Sequence, residues 1–426
     1  MLAASCQLPA ASLLAQDSTQ SGVRVGITYA PGTRPSLSVV LFGAALLDSA
    51  SVTLARDLEQ SDRFEILPAP SSARDQQPPG LNLQTFSALG AAYVVTLSVA
   101  GSDVTAVAMD TRTGQEATRV HLFAADVPDK RLAVHRGADE LVRALTGQPG
   151  IAATSVLFVH EGRVMRVDAD GANAQLLRTA GWPSLSPAWS ADGRLFAYTA
   201  YVRSGEPIVV QDFSGAREMI PGTEDGLNIT PAFSPDGRRL AYAHGTEAGT
   251  DIYLSQTPGR DVHDWGRAGE PQRLTVGRGA DNLSPSWSPD GARIAFISNR
   301  ARTPQLYVMG ADGTGQEVLA RFDFGATGTT SAPSWSPDGQ QIAFHREVAG
   351  TPQVFVLDVA TRAIRQLTGS SRNEDPAWAP DNRHLVFVSS RSGTRELWVV
   401  DVETGRLRQL TRAGGARLPA WSPRTN

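Results

Sequence analysis

Pro285-Ser286-Trp287-Ser288-Pro289-Asp290-Gly291 is a stretch that the chain repeats. Earlier copies are Pro187-Ala188-Trp189-Ser190-Ala191-Asp192-Gly193 and Pro231-Ala232-Phe233-Ser234-Pro235-Asp236-Gly237. Pro333-Ser334-Trp335-Ser336-Pro337-Asp338-Gly339 and Pro376-Ala377-Trp378-Ala379-Pro380-Asp381-Asn382 follow, and Pro419-Ala420-Trp421-Ser422-Pro423-Arg424 is a truncated sixth. Counted from Pro to Pro the steps are 44, 54, 48, 43 and 43 residues. A period of about 40 to 50 residues with several short strands per unit is the mark of a β-propeller.

The motif reads first as mechanics. Ser-Pro-Asp-Gly suits a type I turn, with Pro fixing φ at the second position and Gly relieving the fourth. The leading Pro falls at the start of a strand, where a missing N–H does little harm. The Trp or Phe two residues on can wedge between repeats; about 200 Å² at about 25 cal/mol per Å² gives up to about 5 kcal/mol each. The motif therefore builds sheets and performs no chemistry.

Each copy opens the same series of strands. After Asp290-Gly291 come the apolar run 293–298, then 305–309 and, past the turn 310–313, 316–319. These give strands a (Pro-x-Trp), b, c and d of one blade. Residues 154–178 read as b, c and d without an a, while Leu418-Pro419-Ala420-Trp421-Ser422 is an a without the rest. Joined, they make a composite blade, so a six-bladed ring closed by both ends of residues 151–426 is expected, with no open gap in the ring.

At 426 residues the chain has length for two domains with full cores. Gly 40 and Pro 27 suit a turn-dense β protein. A net charge of −4 argues against a nucleic-acid partner held by a general basic field. One cysteine rules out an intrachain disulfide framework and a Cys-based zinc site. Residues 1–22 read as a signal-peptide remnant or tail: Ala10-Ala11-Ser12-Leu13-Leu14-Ala15 looks like the later part of such a peptide, without the positive start. No later stretch has the length of a membrane-spanning helix, so no direct membrane insertion is expected.

Residues 23–150 lack the repeat. Strands are expected at 37–42, 64–67, 93–99, 104–109 and 119–123, and helices over about 45–60 and through Val134, Ala138, Leu141, Val142 and Leu145. Thr146-Gly147-Gln148-Pro149-Gly150 stops the second helix and serves as the hinge. The fold class is therefore a small N-terminal α/β domain followed by a six-bladed β-propeller.

Chemistry-bearing motifs are missing. No Gly-x-Ser-x-Gly elbow, His-Glu-x-x-His, Walker loop or Gly-x-Gly-x-x-Gly occurs. The seven histidines have no ligand spacing, although His244 and His345 close corresponding b strands and could face a common surface. Asp168-Ala169-Asp170-Gly171 begins like a calcium loop but lacks the later ligands, so it reads as a c–d turn. No catalytic residue, metal site or cofactor is expected.

The Trp-Ser-Pro-Asp-Gly blades, the domain order and the junction 138–152 together resemble the TolB family. The resemblance covers residues 23–426. It implies a periplasmic, monomeric, non-enzymatic subunit of the Tol–Pal envelope system that binds the peptidoglycan-associated lipoprotein Pal through its propeller. It also implies that the N-terminal segment, about Asp17 to Arg34 here, contacts TolA or folds back on the body. Partner contacts in the family lie in the d–a loops. Carried across, these are Asn228 and Thr230 before Pro231, Asn282 and Ser284 before Pro285, Glu374 and Asp375 before Pro376, and Arg417 before Pro419. Loops entering innermost strands all emerge on one face of a ring, which independently favours this set.

Other classes make different demands. A lactonase-like propeller enzyme would need carboxylates, Asn or His converging on the channel, for which Asp225, Asp281, Glu374 and Asp375 are candidates. A serine-peptidase propeller would need a catalytic α/β domain, and the sequence stops three residues after Pro423. An adaptor propeller unrelated to the envelope is the remaining alternative.

Overall fold

The computed structural model describes residues 36–41, 48–68, 81–124, 126–179, 181–203, 205–247, 249–277, 279–320 and 328–424. The tail 1–22, the segment Asp17 to Arg34 and most of the loop 68–80 lie outside the described residues.

The N-terminal elements are β1 (Ser36–Leu41), α1 (Asp48–Gln60), β2 (Glu65–Leu67), α2 (Leu83–Ala88), β3 (Tyr93–Ala100), β4 (Asp103–Asp110), β5 (Glu116–Ala124) and α3 (Lys130–Thr146). The sheet runs β2-β1-β3-β4-β5, parallel across its first two pairings and antiparallel across the last two. Leu54 and Leu58 of α1 and Val134, Ala138 and Leu141 of α3 are buried in one core with Leu37, Val95 and Ala106, as their helical spacing requires. Asp129 caps α3 by accepting from Leu132 N–H at 2.8 Å, and Gly147 ends it with φ 72°. α2 is an addition to the sequence reading. Its only local signals are Asn82, which accepts from Gln84 N–H at 3.1 Å, and the buried Phe86.

Six further sheets carry four main strands each. Their inner strands are Ser184–Trp189, Gly226–Phe233, Asn282–Trp287, Thr330–Trp335, Asn373–Trp378 and Arg417–Trp421, which we number as blades 1 to 6. Each inner strand touches the next, and that of blade 6 touches that of blade 1, so the cycle closes. Blade 6 is the composite one: Arg417 pairs with Val159, Ala420 with Leu157 and Trp421 with Val156. Ser155 and Ser422 exchange two hydrogen bonds (3.0 and 2.8 Å), and Trp421 Nε1 donates to Thr154 Oγ1 at 2.8 Å.

The motif aromatics do wedge between blades. Trp287 sits with Ala241 and Leu254 of blade 2 as well as Phe296 of its own blade. Trp421 likewise packs on Val386 and Leu397 of blade 5. The long second step has a local cause. After strand c, blade 2 inserts a short helix, α4 (Val262–Trp265), whose fully buried Trp265 meets Phe233 edge-on at 5.4 Å. Asp261 and Asp264 form its capping box. Asp261→Ala is expected to cost about 1 kcal/mol in urea unfolding, the usual worth of such a cap.

The α/β elements dock on one end of the ring, through charge. Asp62, just past α1 and at φ 53°, accepts from His384 Nε2 (3.1 Å) in blade 5 and from Arg406 (2.9 Å) in its c–d turn. His384 is fully buried, and its Nδ1 donates to Asp381 at 2.6 Å. Burial pulls the His384 pKa down, but Asp381 and Asp62 more than offset this and hold it above the ordinary value. Beside this joint, Asp170 in the c–d turn of blade 6 accepts from Arg56 of α1 and Arg131 of α3. His135 donates to Asp57 at 2.6 Å next to it. Arg383 bonds Asp401 through two nitrogens at 3.1 and 2.7 Å. Burial alone would raise the Asp401 pKa, yet its bonds from Arg383 and Thr404 bring it down to about 2.

That depression fixes a sign. A carboxyl held below its unfolded value contributes stability that is present above pH about 4 and is lost as pH falls through about 2. For Asp401 the shift from 3.8 to about 2 corresponds to about 2 kcal/mol. Asp401→Asn is expected to flatten the acid limb of the stability–pH curve below pH 4, measured by denaturant midpoints.

Candidate functional site

Because the α/β elements occupy the end carrying the a–b and c–d turns, the opposite end, with its d–a and b–c loops, is left uncovered by the other described residues and forms the mouth. Here each inner strand bulges. Ser186, Thr230, Ser284, Ala332, Asp375 and Leu418, each immediately before the motif Pro, have φ between 49° and 54°. Strand pairing slips at the same place in all six sheets. The bulge turns the strand, and Pro leaves no N–H unpaired where the ladder breaks. Left-handed backbone at a non-glycine residue costs about 1 to 2 kcal/mol, so the surrounding ring must hold it.

It does so by hydrogen bonds passed from blade to blade. Thr230 Oγ1 accepts from Ser284 N–H at 3.2 Å, and the Asp375 carboxylate accepts from Leu418 N–H. One layer further down the channel, Ser286 Oγ accepts from Trp335 N–H (3.1 Å) and Ser334 Oγ from Trp378 N–H (3.2 Å). The channel they line has a volume of about 490 Å³ and is walled by the motif prolines and tryptophans together with Thr230, Ser284 and Asp375. The mouth is therefore a rigid rim around an apolar throat.

The expected contact residues divide. Thr230, Ser284 and Asp375 line the channel, and Arg417 is exposed beside it. Glu374 is partly exposed and bound to Arg372 at 2.6 Å, with Arg395 at 3.7 Å. Asn228 and Asn282 do not fit a contact role, because both are fully buried. Asn228 Nδ2 donates to the carbonyls of Thr223 (3.2 Å) and Asp225 (3.0 Å), tying down its own d–a loop. Asn282 bonds Asp251 at 2.9 Å and accepts from Arg300 at 2.8 Å. They shape the loops from beneath. Asn373, which the sequence reading passed over, repeats the arrangement: its Nδ2 donates to Ser370 O (2.7 Å) and its Oδ1 accepts from Arg391 (3.0 Å).

His244 and His345 do not share a surface. Tyr242 and Phe344 hold equivalent places in their b strands, so His244 lies two residues beyond its aromatic and His345 only one. A one-residue offset in a strand puts side chains on opposite faces. His244 bonds Asn228 of its own blade at 2.8 Å, whereas His345 Nδ1 accepts from Asp375 N–H of the next blade at 3.1 Å. Burial lowers the His345 pKa and raises that of Asp375. The neutral ring, with its proton on Nε2, suits that bond.

The carboxylates proposed for a channel enzyme do not converge. Of Asp225, Asp281, Glu374 and Asp375, only Asp375 lines the channel. Asp281 instead pairs with Asn299 at 2.9 Å. Away from the mouth, Asp57, His135 and Asp170 lie within 4.8 Å of one another in the geometry of a metal-ligand group. Two guanidiniums already balance Asp170 there, which makes the cluster part of the joint.

Comparison with known proteins agrees with this architecture. The TolB beta propeller domain family matches residues 142–324 and 320–426. The chain is 35% identical over 290 residues to the Tol-Pal system protein TolB of Anaeromyxobacter dehalogenans, covering 65% of this chain and 54% of that protein. It is 31% identical over 327 residues to the protein of the same description from Bordetella pertussis, covering 71% and 69%. The chain thus spans about half the length of the first of these curated relatives. The crystal structure of TolB from Acinetobacter baumannii superposes with a TM-score of 0.77 at 25% identity, over 93% of this chain and 98% of that one. The motif spacing, the closed ring and these matches lead to one conclusion: the chain belongs to the TolB family.

Proposed function

We propose that this protein is a non-enzymatic periplasmic scaffold of the Tol–Pal envelope system that binds a Pal-like peptidoglycan-associated lipoprotein at the propeller mouth, in support of outer-membrane integrity and cell division. The observation that carries the reading is the free mouth itself. It lies opposite the docked α/β elements, and interblade bonds through Thr230 and Asp375 hold it rigid. A preorganised rim binds without the ordering cost of mobile loops. Thr230, Ser284, Glu374, Asp375 and Arg417 are its contact residues in this reading, and Asn228 and Asn282 support them. Among the described residues that line the channel, Asp375 is the one carboxylate, which supports recognition over chemistry. The division at about residue 150 follows Pro149-Gly150, between α3 and the first strand of blade 6. A TolA-like partner for the segment Asp17 to Arg34 belongs to the same proposal and rests on family resemblance.

Charge reversal at Glu374 and Arg417 together is the test. Capture of the soluble domain of Pal is expected to weaken about tenfold or more. The melting temperature should fall only slightly, since Arg417 is exposed without an ion pair among the described residues and the partly exposed Glu374 pairs contribute about 0 to 1 kcal/mol. Unchanged capture would retire this face.

A further inference from the structure

The rim repeats a left-handed backbone position, a Pro and an aromatic in every blade, so its apolar throat gives a partner nearly the same view from six directions. Charge breaks that symmetry. Three loops at the seam of blades 5 and 6 (367–372, 390–395 and 410–416) are bonded side by side. Ser390 N–H donates to Arg372 O (3.1 Å), Ala416 N–H to Arg395 O (3.1 Å), and Gly414 N–H to Glu396 (2.6 Å). In or beside them stand Arg372, Arg391, Arg395, Arg412 and Arg417.

Glu374 and Glu396, which flank these loops, are already engaged, while Glu161, in the b–c turn of blade 6 beside His160 (bonded to Gly414 O at 2.9 Å), is exposed and makes no ion pair among the described residues. Glu374 is held by Arg372 and Arg395. Glu396 is almost fully buried and accepts from Thr411 and Gly414. Arg391 lies over Phe387 and Trp398, at 5.5 and 4.9 Å from the ring centres, and so presents a fixed guanidinium. Arg412 and Arg417 are exposed and make no ion pair among the described residues.

Three places round the ring, blade 2 carries the reverse sign. Glu224 and Asp225 in its d–a loop and Glu247 in its b–c loop are exposed, and no cation pairs with them among the described residues. Of the basic side chains nearby, Arg273 is taken up by Asp251, and Arg203 is exposed in the blade 1 loop whose Gly205 pairs with Gly226.

We infer that the mouth takes a protein partner through an acidic segment seated on the arginines of the blade 5–6 seam, and that the acidic loops of blade 2 fix its rotational register. This rests on reading the mouth as the recognition face. Complementary potentials speed encounter and set register more than they add raw affinity. An acidic segment on the wrong blade would meet Glu224 and Asp225.

The experiment uses the full chain and a fluorescein-labelled Glu-rich dodecapeptide, followed by anisotropy at low salt. Capture of the Pal domain is measured in parallel. The Arg412→Glu, Arg417→Glu pair is expected to weaken peptide binding about tenfold or more. Arg112→Glu with Arg143→Glu, exposed sites far from the mouth, makes the same change in net charge and should leave it within about twofold. Glu224→Lys with Asp225→Lys should leave seam binding intact and create a second binding arm. No peptide binding, or equal losses in the seam and control pairs, would overturn the inference. Arginine-dependent peptide binding with no Pal capture would instead leave the surface standing and remove the proposed partner.

Discussion

A chain cut back to Ala416 is expected to lose cooperative unfolding of the propeller at the temperature where the full chain unfolds. The missing residues include strand a of blade 6, through which blade 5 and the strands from Ser155 onward are joined. Trp421, 7% exposed, fills the space between Val386 and Leu397 on one side and Val156 and Phe158 on the other. Removing a tryptophan so placed costs about 3 to 5 kcal/mol by itself. The cut also strips the strand 155–160 of its ladder partner and so opens one sheet edge. Calorimetry should show a broadened transition displaced to lower temperature. Trp421→Ala in the full chain should lower the same transition without broadening it, because the strand and its ladder remain.

Asp62→Ala should have the second large effect. In the intact protein His384 is fully buried between two carboxylates, Asp381 at 2.6 Å and Asp62 at 3.1 Å, which suits the doubly protonated ring. Taking away one partner of a buried ion pair leaves an uncompensated charge and costs about 3 to 5 kcal/mol. Arg406 loses its anchor as well. Since the His384 pKa is raised in the fold, its contribution is complete below the ordinary histidine range and is lost as pH rises through the raised value. Denaturant midpoints of the parent should therefore fall on the alkaline side, and those of Asp62→Ala should fall less. Adding His384→Leu to Asp62→Ala should lower the midpoint further, since the buried Asp381 then loses its cation as well.

These two effects mark what a sequence displays and what it hides. The ring is legible because its information is local and repeated. Pro and an aromatic two residues apart announce an inner strand six times over, three times with a full Ser-Pro-Asp-Gly turn after them, and the unmatched halves at the two ends of residues 151–426 announce closure. The joint is not legible. Asp62 and His384 stand 322 residues apart, and neither lies in a motif. The rim falls between these cases. Loop position points to Thr230, Ser284 and Asp375, and the same rule wrongly includes Asn228 and Asn282. What separates them is the distance from the bulge: the residue two before it (Asn228, Asn282, Asn373) is buried under the loop, and the residue at it faces the channel. Pairing His244 with His345 fails for a related reason, since both end a b-strand run but at different distances from the aromatic that sets the register.

The recognition face can be tested at two points on opposite ends of the ring. Ser370, exposed in the d–a loop before blade 5, lies at the mouth, and Gln340, exposed in the a–b turn of blade 4, lies at the other end. A photo-crosslinking amino acid is introduced at one or the other, and the protein is irradiated with the Pal domain. Covalent capture from Ser370 and none from Gln340 is the predicted result; capture from Gln340 with none from Ser370 would contradict it.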